Sequence, residues 1–381
     1  MTASEASLPV REGRVFWIDA ARALAVISVS FNHALSRSVL LNEAALAKPG
    51  LWSYAACLLY VVSRLGVPLF LMISGALLLG RDYTRPGALR RFYTHNWLRL
   101  LLATLIWLGI RFWFFLLLNG GGGSLGALLR GFFRDVLMLN GKSIGCMWYM
   151  AMILCVYPLI PLLAVAVQRL PWKAFLLPGA LVLGFSFLLP NLNAALEAAG
   201  QGLRLNSSVE AGYLLPLYLL YLLGGWYLRK GLPKRFDGLL LAVFVVSLGA
   251  TARFQQWMFA AGTHYTVRYA DLGVLLAAAA LFALLPRRRE VRGLPGRLTR
   301  SLAVHGLGVY FVHHLLMSAL AVLLARRLPN LTGFRAFAVL ELAGLGGAWL
   351  FVWLTAKLPA VGKYLYLIQT FHQTTQRKGE P

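Results

Sequence analysis

Apolar runs of close to membrane-spanning length follow one another along almost the whole 381-residue chain, with little polar sequence between them. An α-helix needs about twenty apolar residues to cross the hydrocarbon core of a bilayer. Candidate spans fall at 15–40, 54–80, 97–118, 146–167, 173–190, 211–228, 238–258, 267–286, 301–325 and 335–357. A chain crossing lipid must satisfy its backbone hydrogen bonds internally, which leaves helices or a closed barrel. Barrel strands read as short segments of alternating polarity, whereas these runs are long, continuous and rich in Leu and Ala. The expected fold class is all-α: a polytopic transmembrane helix bundle of about ten spans.

Composition agrees, since 59% of the residues are hydrophobic and 13% are charged, too apolar a balance for a water-wetted surface. The net charge of +24 would suggest nucleic acid in a soluble protein. Here the basic residues sit in short loops: Arg81, Arg85, Arg90 and Arg91; Arg229, Lys230, Lys234 and Arg235; Arg287, Arg288, Arg289, Arg292, Arg297 and Arg300. With the N-terminus inside, about 23 Lys and Arg fall on the cytoplasmic side against about 9 outside. That bias favours an even number of spans with both termini cytoplasmic, membrane lipids as partners, and no role for nucleic acid. The span at 173–190 is short and flanked by Pro171 and Pro190, but losing it would invert the second half and spoil the charge bias.

The chain therefore divides into a cytoplasmic tail at 1–14, a membrane domain at 15–357 and a cytoplasmic tail at 358–381. The first apolar stretch lacks a small-residue cleavage site and is expected to stay as the first helix. Cys57, Cys146 and Cys155 have no metal or redox spacing. The loops 119–145 and 191–210 are too short to fold alone, so any chemistry belongs inside the bundle.

Ionisable groups within spans are costly and are functional candidates by default. On the first helix Asp19 and Arg22 are three apart, and Arg22 and His33 eleven apart, nearly the same face about 16 Å along the axis. An Asp19–Arg22 ion pair and a His33 hydrogen bond to a neighbouring helix would be structural roles; an arginine and an imidazole aligned on one face make His33 the leading catalytic candidate. In the second span Gly66-Val67-Pro68 predicts a kink or interruption, and Ser74-Gly75-Ala76 a small face for close packing. The run from Arg90 and Arg91 to Arg99 suits either a phosphate-bearing ligand or topology and anionic lipid. Trp148-Tyr149 reads as an interfacial anchor or a sugar-stacking platform. The ninth span carries His305, Tyr310, His313 and His314, with no acid nearby in sequence, and no metal is expected. Asp271 and Glu341 are single acids whose candidate cross-helix partners are Arg253 and Arg111.

Four stretches in order resemble the acyltransferase-3 family of bacterial membrane enzymes: Trp17 to Arg22 with Asn32-His33; Gly66 to Leu79; Met147-Trp148-Tyr149 to Pro161; and Gly308 to His313. The likeness spans nearly the whole chain, and is closest in flavour to compact members such as the enterobacterial common antigen O-acetyltransferases. It implies acetyl-coenzyme A (acetyl-CoA) as donor and a carbohydrate hydroxyl, free or lipid-linked, as acceptor, at the bacterial cytoplasmic (inner) membrane. It also implies that His33 and Arg22 are the essential pair of the first helix and that Arg99 is the second arginine of an Arg-x-x-Arg element. Three positions depart from the family pattern: Asn96 where the first arginine is expected, Cys146 where histidine is frequent, and His314 where proline is usual.

Acyl transfer to a hydroxyl needs a base and donors for a developing oxyanion. The expected roles are His33 as base or acyl carrier, Asp19 and Arg22 as orienting groups, and Arg99, Arg91 and Arg90 as donor-phosphate ligands. Trp148, Tyr149, Tyr310 and His313 are the expected acceptor contacts. A transporter or flippase for a lipid-linked sugar or small anion is the rival from another class, although no inverted repeat is visible. A succinyl or other acyl donor is the rival among enzymes.

Overall fold

The computed structural model describes residues 15–38, 46, 48, 50–120, 124–137, 145–201, 205, 217–263, 265–287 and 291–368. The tails at 1–14 and 369–381, Arg288, Arg289, residues 211–216 of the expected sixth span and parts of both long loops lie outside the described residues. Among the described residues the regular structure is entirely helical.

The first helix, α1, runs Phe16–Arg37. The second expected span is two helices, α2 (Leu51–Ser63) and α3 (Gly66–Leu78), interrupted at Arg64-Leu65. Pro68 explains the position of the break: it has no N–H to give, and its ring would collide with the carbonyl four residues back, at Arg64. A short α4 (Ala88–Phe92) passes through a π-helical turn, Tyr93–Trp97, into α5 (Leu98–Leu118). Then come α6 (Leu125–Phe132), α7 (Trp148–Val156), α8 (Ile160–Arg169), α9 (Leu176–Val182) and α10 (Leu189–Ala198). The chain continues through α11 (Leu217–Leu228), α12 (Asp237–Ala260), α13 (Leu272–Leu284), α14 (Gly293–Arg327) and α15 (Gly333–Thr355).

Among the described residues seven helical stretches are long and apolar enough to cross a bilayer: Leu51–Leu78, Ala88–Leu118, Gly145–Arg169, Trp172–Ala198, Lys234–Ala260, Gly293–Arg327 and Gly333–Thr355. Tyr218–Leu228 and Leu272–Leu284 are apolar but shorter. The protein is a multi-pass membrane protein. Leu102, Ile106 and Leu117 on α5, Val245 and Val246 on α12, and Leu342 and Leu350 on α15 stand exposed, as lipid-facing side chains must.

Helix α1 has spanning length but carries Asp19, Arg22 and Arg37, and it packs against α2, α3, α14 and α15. Ala21, Ala25 and Ala34 leave no accessible surface. In lipid, helices associate through close backbone approach at small residues. At Gly66 a Cβ would lie 2.7 Å from the Ala25 carbonyl oxygen, which fixes α3 on α1. The α3–α11 crossing is reciprocal: a Cβ at Gly75 would lie 1.9 Å from the Leu222 carbonyl oxygen, and one at Gly225 1.9 Å from that of Met72. The small face expected at Ser74-Gly75-Ala76 thus acts through Gly75. The segment after α15 folds back: Trp107 Nε1 donates to the Leu365 carbonyl (3.1 Å), and the Trp107 ring stacks on Phe311 and Tyr366.

Gly75→Val is expected to abolish folded accumulation or to lower the unfolding midpoint of the purified protein sharply, because backbone rather than a movable side chain blocks the new atoms. Gly346→Ala, which meets nothing within 4 Å, should leave the midpoint within a degree or two. Thermal unfolding in one detergent compares them.

Candidate active site

Four helices each present several residues to a cavity of about 550 Å³, and Leu100 adds one from α5. Arg22 and Val26 come from α1; Phe70, Ile73, Ser74 and Leu77 from α3; Tyr149, Met150 and Ile153 from α7; Ala303, Gly306, Leu307 and Tyr310 from α14. These three- and four-residue steps are the helical repeat of a single face. Arg81, just past α3, and Asn96, in the π-helical turn, add polar groups at the end where α1 begins. Tyr157 also lines the cavity, with its hydroxyl 3.4 Å from that of Ser74. Leu367 closes part of the wall with φ at 52°, a conformation unfavourable for a leucine.

The lining faces of α1 and α14 continue into a cluster of imidazoles. The His33 ring centroid is 5.2 Å from that of His313 and 5.0 Å from that of His314. Tyr310 bridges to the cavity, 6.1 Å from His313 and 5.9 Å from Tyr149 between centroids. A line of rings therefore runs from the cavity to His33.

Cations surround the cluster. Arg37 Nη2 lies 3.0 Å from His314 Nε2 and donates to Ser318 Oγ at 2.6 Å. On the other side Arg111 Nη1 lies 3.0 Å from His314 Nδ1 and 3.3 Å from the Cys146 sulfur. A neutral imidazole has one acceptor nitrogen, so His314 can accept from one of these guanidinium groups and not from both. Two guanidinium groups therefore meet at one imidazole, a positive setting of the kind a developing negative charge calls for. Arg64, at the α2–α3 break, bonds to the Tyr60 hydroxyl and lies over the rings of Tyr60 (4.3 Å) and Tyr269 (5.2 Å).

The sequence-derived candidates divide. Asp19, 1% exposed, pairs with Arg22 at 3.6 Å, and Arg22 lines the cavity. Tyr149 and Tyr310 line it too, with His33 and His313 beyond. Trp148 is turned away, against Tyr218 and Tyr269. Arg90 and Arg91 are exposed and Arg99 half-buried, and none of the three is in the lining; Asn96 is.

The expected partners of the two buried acids need correction. Asp271 Oδ1 accepts from Asn191 Nδ2 at 3.0 Å, and its other oxygen from the Arg268 backbone N–H at 2.7 Å. Glu341 accepts from Ser30 at 2.8 Å. Arg253 bonds Gln256 on its own helix, and Arg111 is drawn to His314. Asp271 thus finds its donors and a cation close by, with Arg268 Nε 3.9 Å from Oδ1, whereas Glu341 has the facing Ser30 hydroxyl on one oxygen and no hydrogen-bond partner among the described residues on the other. Arg37 and His314 were not singled out as site residues, although Arg37 follows His33 by one helical turn and a shared face was legible. Among the described residues no three His, Cys, Asp or Glu side chains are grouped as metal ligands.

A many-helix membrane bundle with a polar cavity ending at clustered imidazoles defines the class as a membrane enzyme with an internal site. The acyltransferase domain family matches residues 15–353, and the chain belongs to that family: it is a membrane acyltransferase of the acyltransferase-3 type. No curated protein and no solved structure matches it.

Asp19 and Arg22 should be coupled. Arg22→Met leaves the buried Asp19 carboxylate short of its cation and should lower the unfolding midpoint; adding Asp19→Asn should recover part of the loss. A double-mutant cycle read by thermal unfolding checks this, and additive effects would contradict it.

Proposed function

We propose that the protein is an O-acetyltransferase of the bacterial inner membrane, moving acetyl from acetyl-CoA to a hydroxyl of a cell-envelope carbohydrate, in the manner of the enterobacterial common antigen enzymes. The observation that carries the reading is the cavity, which leads from Arg22, Arg81 and Asn96 to Tyr149 and Tyr310, with His313 and then His33 beyond Tyr310. Ten spans with both termini cytoplasmic would put the Arg22 and Arg81 end at the cytoplasm, where the donor is. Its pantetheine arm would lie along Phe70, Ile73 and Leu307. Its phosphates would meet Arg22 and Arg81, with Arg90, Arg91 and Arg99 forming a basic approach.

The acceptor oxygen attacks the thioester carbonyl, the carbon–sulfur bond breaks, and coenzyme A leaves as thiol carrying the proton. His33 serves as the base or as a transient acyl carrier. Asp19 keeps Arg22 oriented on the same helix face. The guanidinium groups of Arg37 and Arg111, held at His314, stabilise the oxyanion. Tyr149 and Tyr310, which line the cavity, supply aromatic surface for a sugar, with Trp148 packed behind them.

His33→Ala should abolish transfer while the protein accumulates normally. The assay is ester-linked acetyl on envelope polysaccharide, a base-labile gain of about 42 mass units for a hydroxyl proton replaced by acetyl. Wild-type acetylation by the variant would refute the role of His33. Leu307→Trp, which fills the cavity, should raise KM for acetyl-CoA at least about tenfold; an unchanged KM would mean the donor binds elsewhere.

A further inference from the structure

One buried polar atom beside His33 has no assigned task. His313 is 2% exposed, and its Nε2 has no hydrogen-bond partner among the described residues. Its Nδ1 lies 2.9 Å from the Val309 carbonyl oxygen, one turn back on α14. A carbonyl can only accept, so the hydrogen sits on Nδ1, and in the neutral ring Nε2 is left with its lone pair. In the resting site, with no acceptor oxygen for Nε2 to meet, the doubly protonated ring would put an unpaired N–H and a charge into the same buried position, so His313 waits as the neutral ring. The backbone thus fixes which nitrogen is basic.

His33 contrasts with this. Its ring meets the rings of His313 and His314, and no hydrogen bond to a described residue pins either nitrogen. A pinned tautomer suits a base, whose lone pair must be on one known atom before the reaction starts. An unpinned ring suits a group that must swing between a donor and an acceptor. Two imidazoles 5.2 Å apart can therefore divide one reaction between them.

We propose that His313 is the general base of the transfer step, taking the acceptor's hydroxyl proton on Nε2, while His33 carries the acyl group; this rests on the reading of His33 given above. In the first step a ring nitrogen of His33 attacks the thioester carbonyl, a carbon–nitrogen bond forms and the carbon–sulfur bond breaks. The thiolate leaves and takes the proton lost by the acylated ring. In the second step the acceptor oxygen attacks the acyl carbon as its proton passes to His313 Nε2. The carbon–nitrogen bond breaks, its electron pair returns to His33, and His313 gives the proton on to that nitrogen. Both rings end neutral, with the His33 hydrogen now on the nitrogen that carried the acyl group, and no other reactant is required.

The experiment uses the full-length protein in membranes, with acetyl-CoA as donor and two nucleophiles. Hydroxylamine attacks acyl groups as a neutral amine and needs little help from a base; envelope polysaccharide of expressing cells supplies the hydroxyl acceptor. His313→Asn keeps an N–H for the Val309 carbonyl but has no basic nitrogen. It should lower polysaccharide acetylation by about 10²–10⁴-fold, the usual contribution of a general base, while hydroxylamine-dependent thiol release stays within about threefold of wild type. Should that variant not accumulate, His313→Gln, whose amide fills the Nε2 position without basicity, is read the same way. Polysaccharide acetylation within threefold of wild type would overturn the proposal, and so would equal loss with both nucleophiles, which marks a structural role. His33→Ala should lose both reactions. If it keeps hydroxylamine-dependent release, the carrier role of His33 fails, whatever His313→Asn does.

Discussion

A helix with two charges near its start, an imidazole near its end and an arginine one turn beyond cannot be left facing lipid. Placing such groups in hydrocarbon costs several kcal/mol each, so α1 has to be enclosed. Most of the architecture follows from that enclosure. Helices α2, α3, α14 and α15 surround α1, and the apolar side chains that would cover a soluble core are turned outward on α5, α12 and α15. The family identity is consistent with this inversion, because an acyltransferase that works inside a membrane must keep its polar machinery in the one place lipid does not reach.

Enclosure also sets how close the neighbours must come. Lipid tails are as apolar as leucine, so burial alone does not hold helices together. Gly66 against Ala25, and the reciprocal pair Gly75 and Gly225, let backbone meet backbone. The break at Arg64-Leu65 belongs to the same solution. It ends one helix at the depth of the site, frees a cation to lie over Tyr60 and Tyr269, and starts α3 with Gly66 against α1. Rigid contacts on α3 and a bent connection above it give a fixed cavity wall next to an irregular polar region.

The helical class, the break before Pro68 and the shared face of Arg22 and His33 were legible because each depends on local sequence: run length, the stereochemistry of proline, and a repeat of 3.6 residues. Each expected span contains a helix among the described residues, although only seven stretches meet the length and apolarity of a crossing. What was not legible depends on contacts distant in sequence. Nothing near Glu341 in the chain points to Ser30, and nothing near Asp271 points to Asn191. The donor-side arginines illustrate a subtler limit. A π-helical turn holds one extra residue and rotates later side chains by about 100° relative to an unbroken α-helix. In the turn at Tyr93–Trp97 Asn96 lines the cavity and, four residues on, so does Leu100, which turns Arg99 about 100° aside from Leu100.

Of the three positions at which the sequence departs from the resemblance, Cys146 and His314 come together in space although they are far apart in sequence, and Asn96 stands apart from them at the Arg22 end of the cavity. Cys146 offers its carbonyl to the Tyr310 hydroxyl at 3.0 Å and its sulfur to Arg111 at 3.3 Å. His314, on another helix, meets the same arginine at 3.0 Å. The turn before α7 thus brings a thiol to Arg111 while α14 brings an imidazole. With Arg37 on the far side of the same ring, His314 is held between two cations beside His33, so elements distant in sequence together set the positive surroundings of the first helix's imidazole.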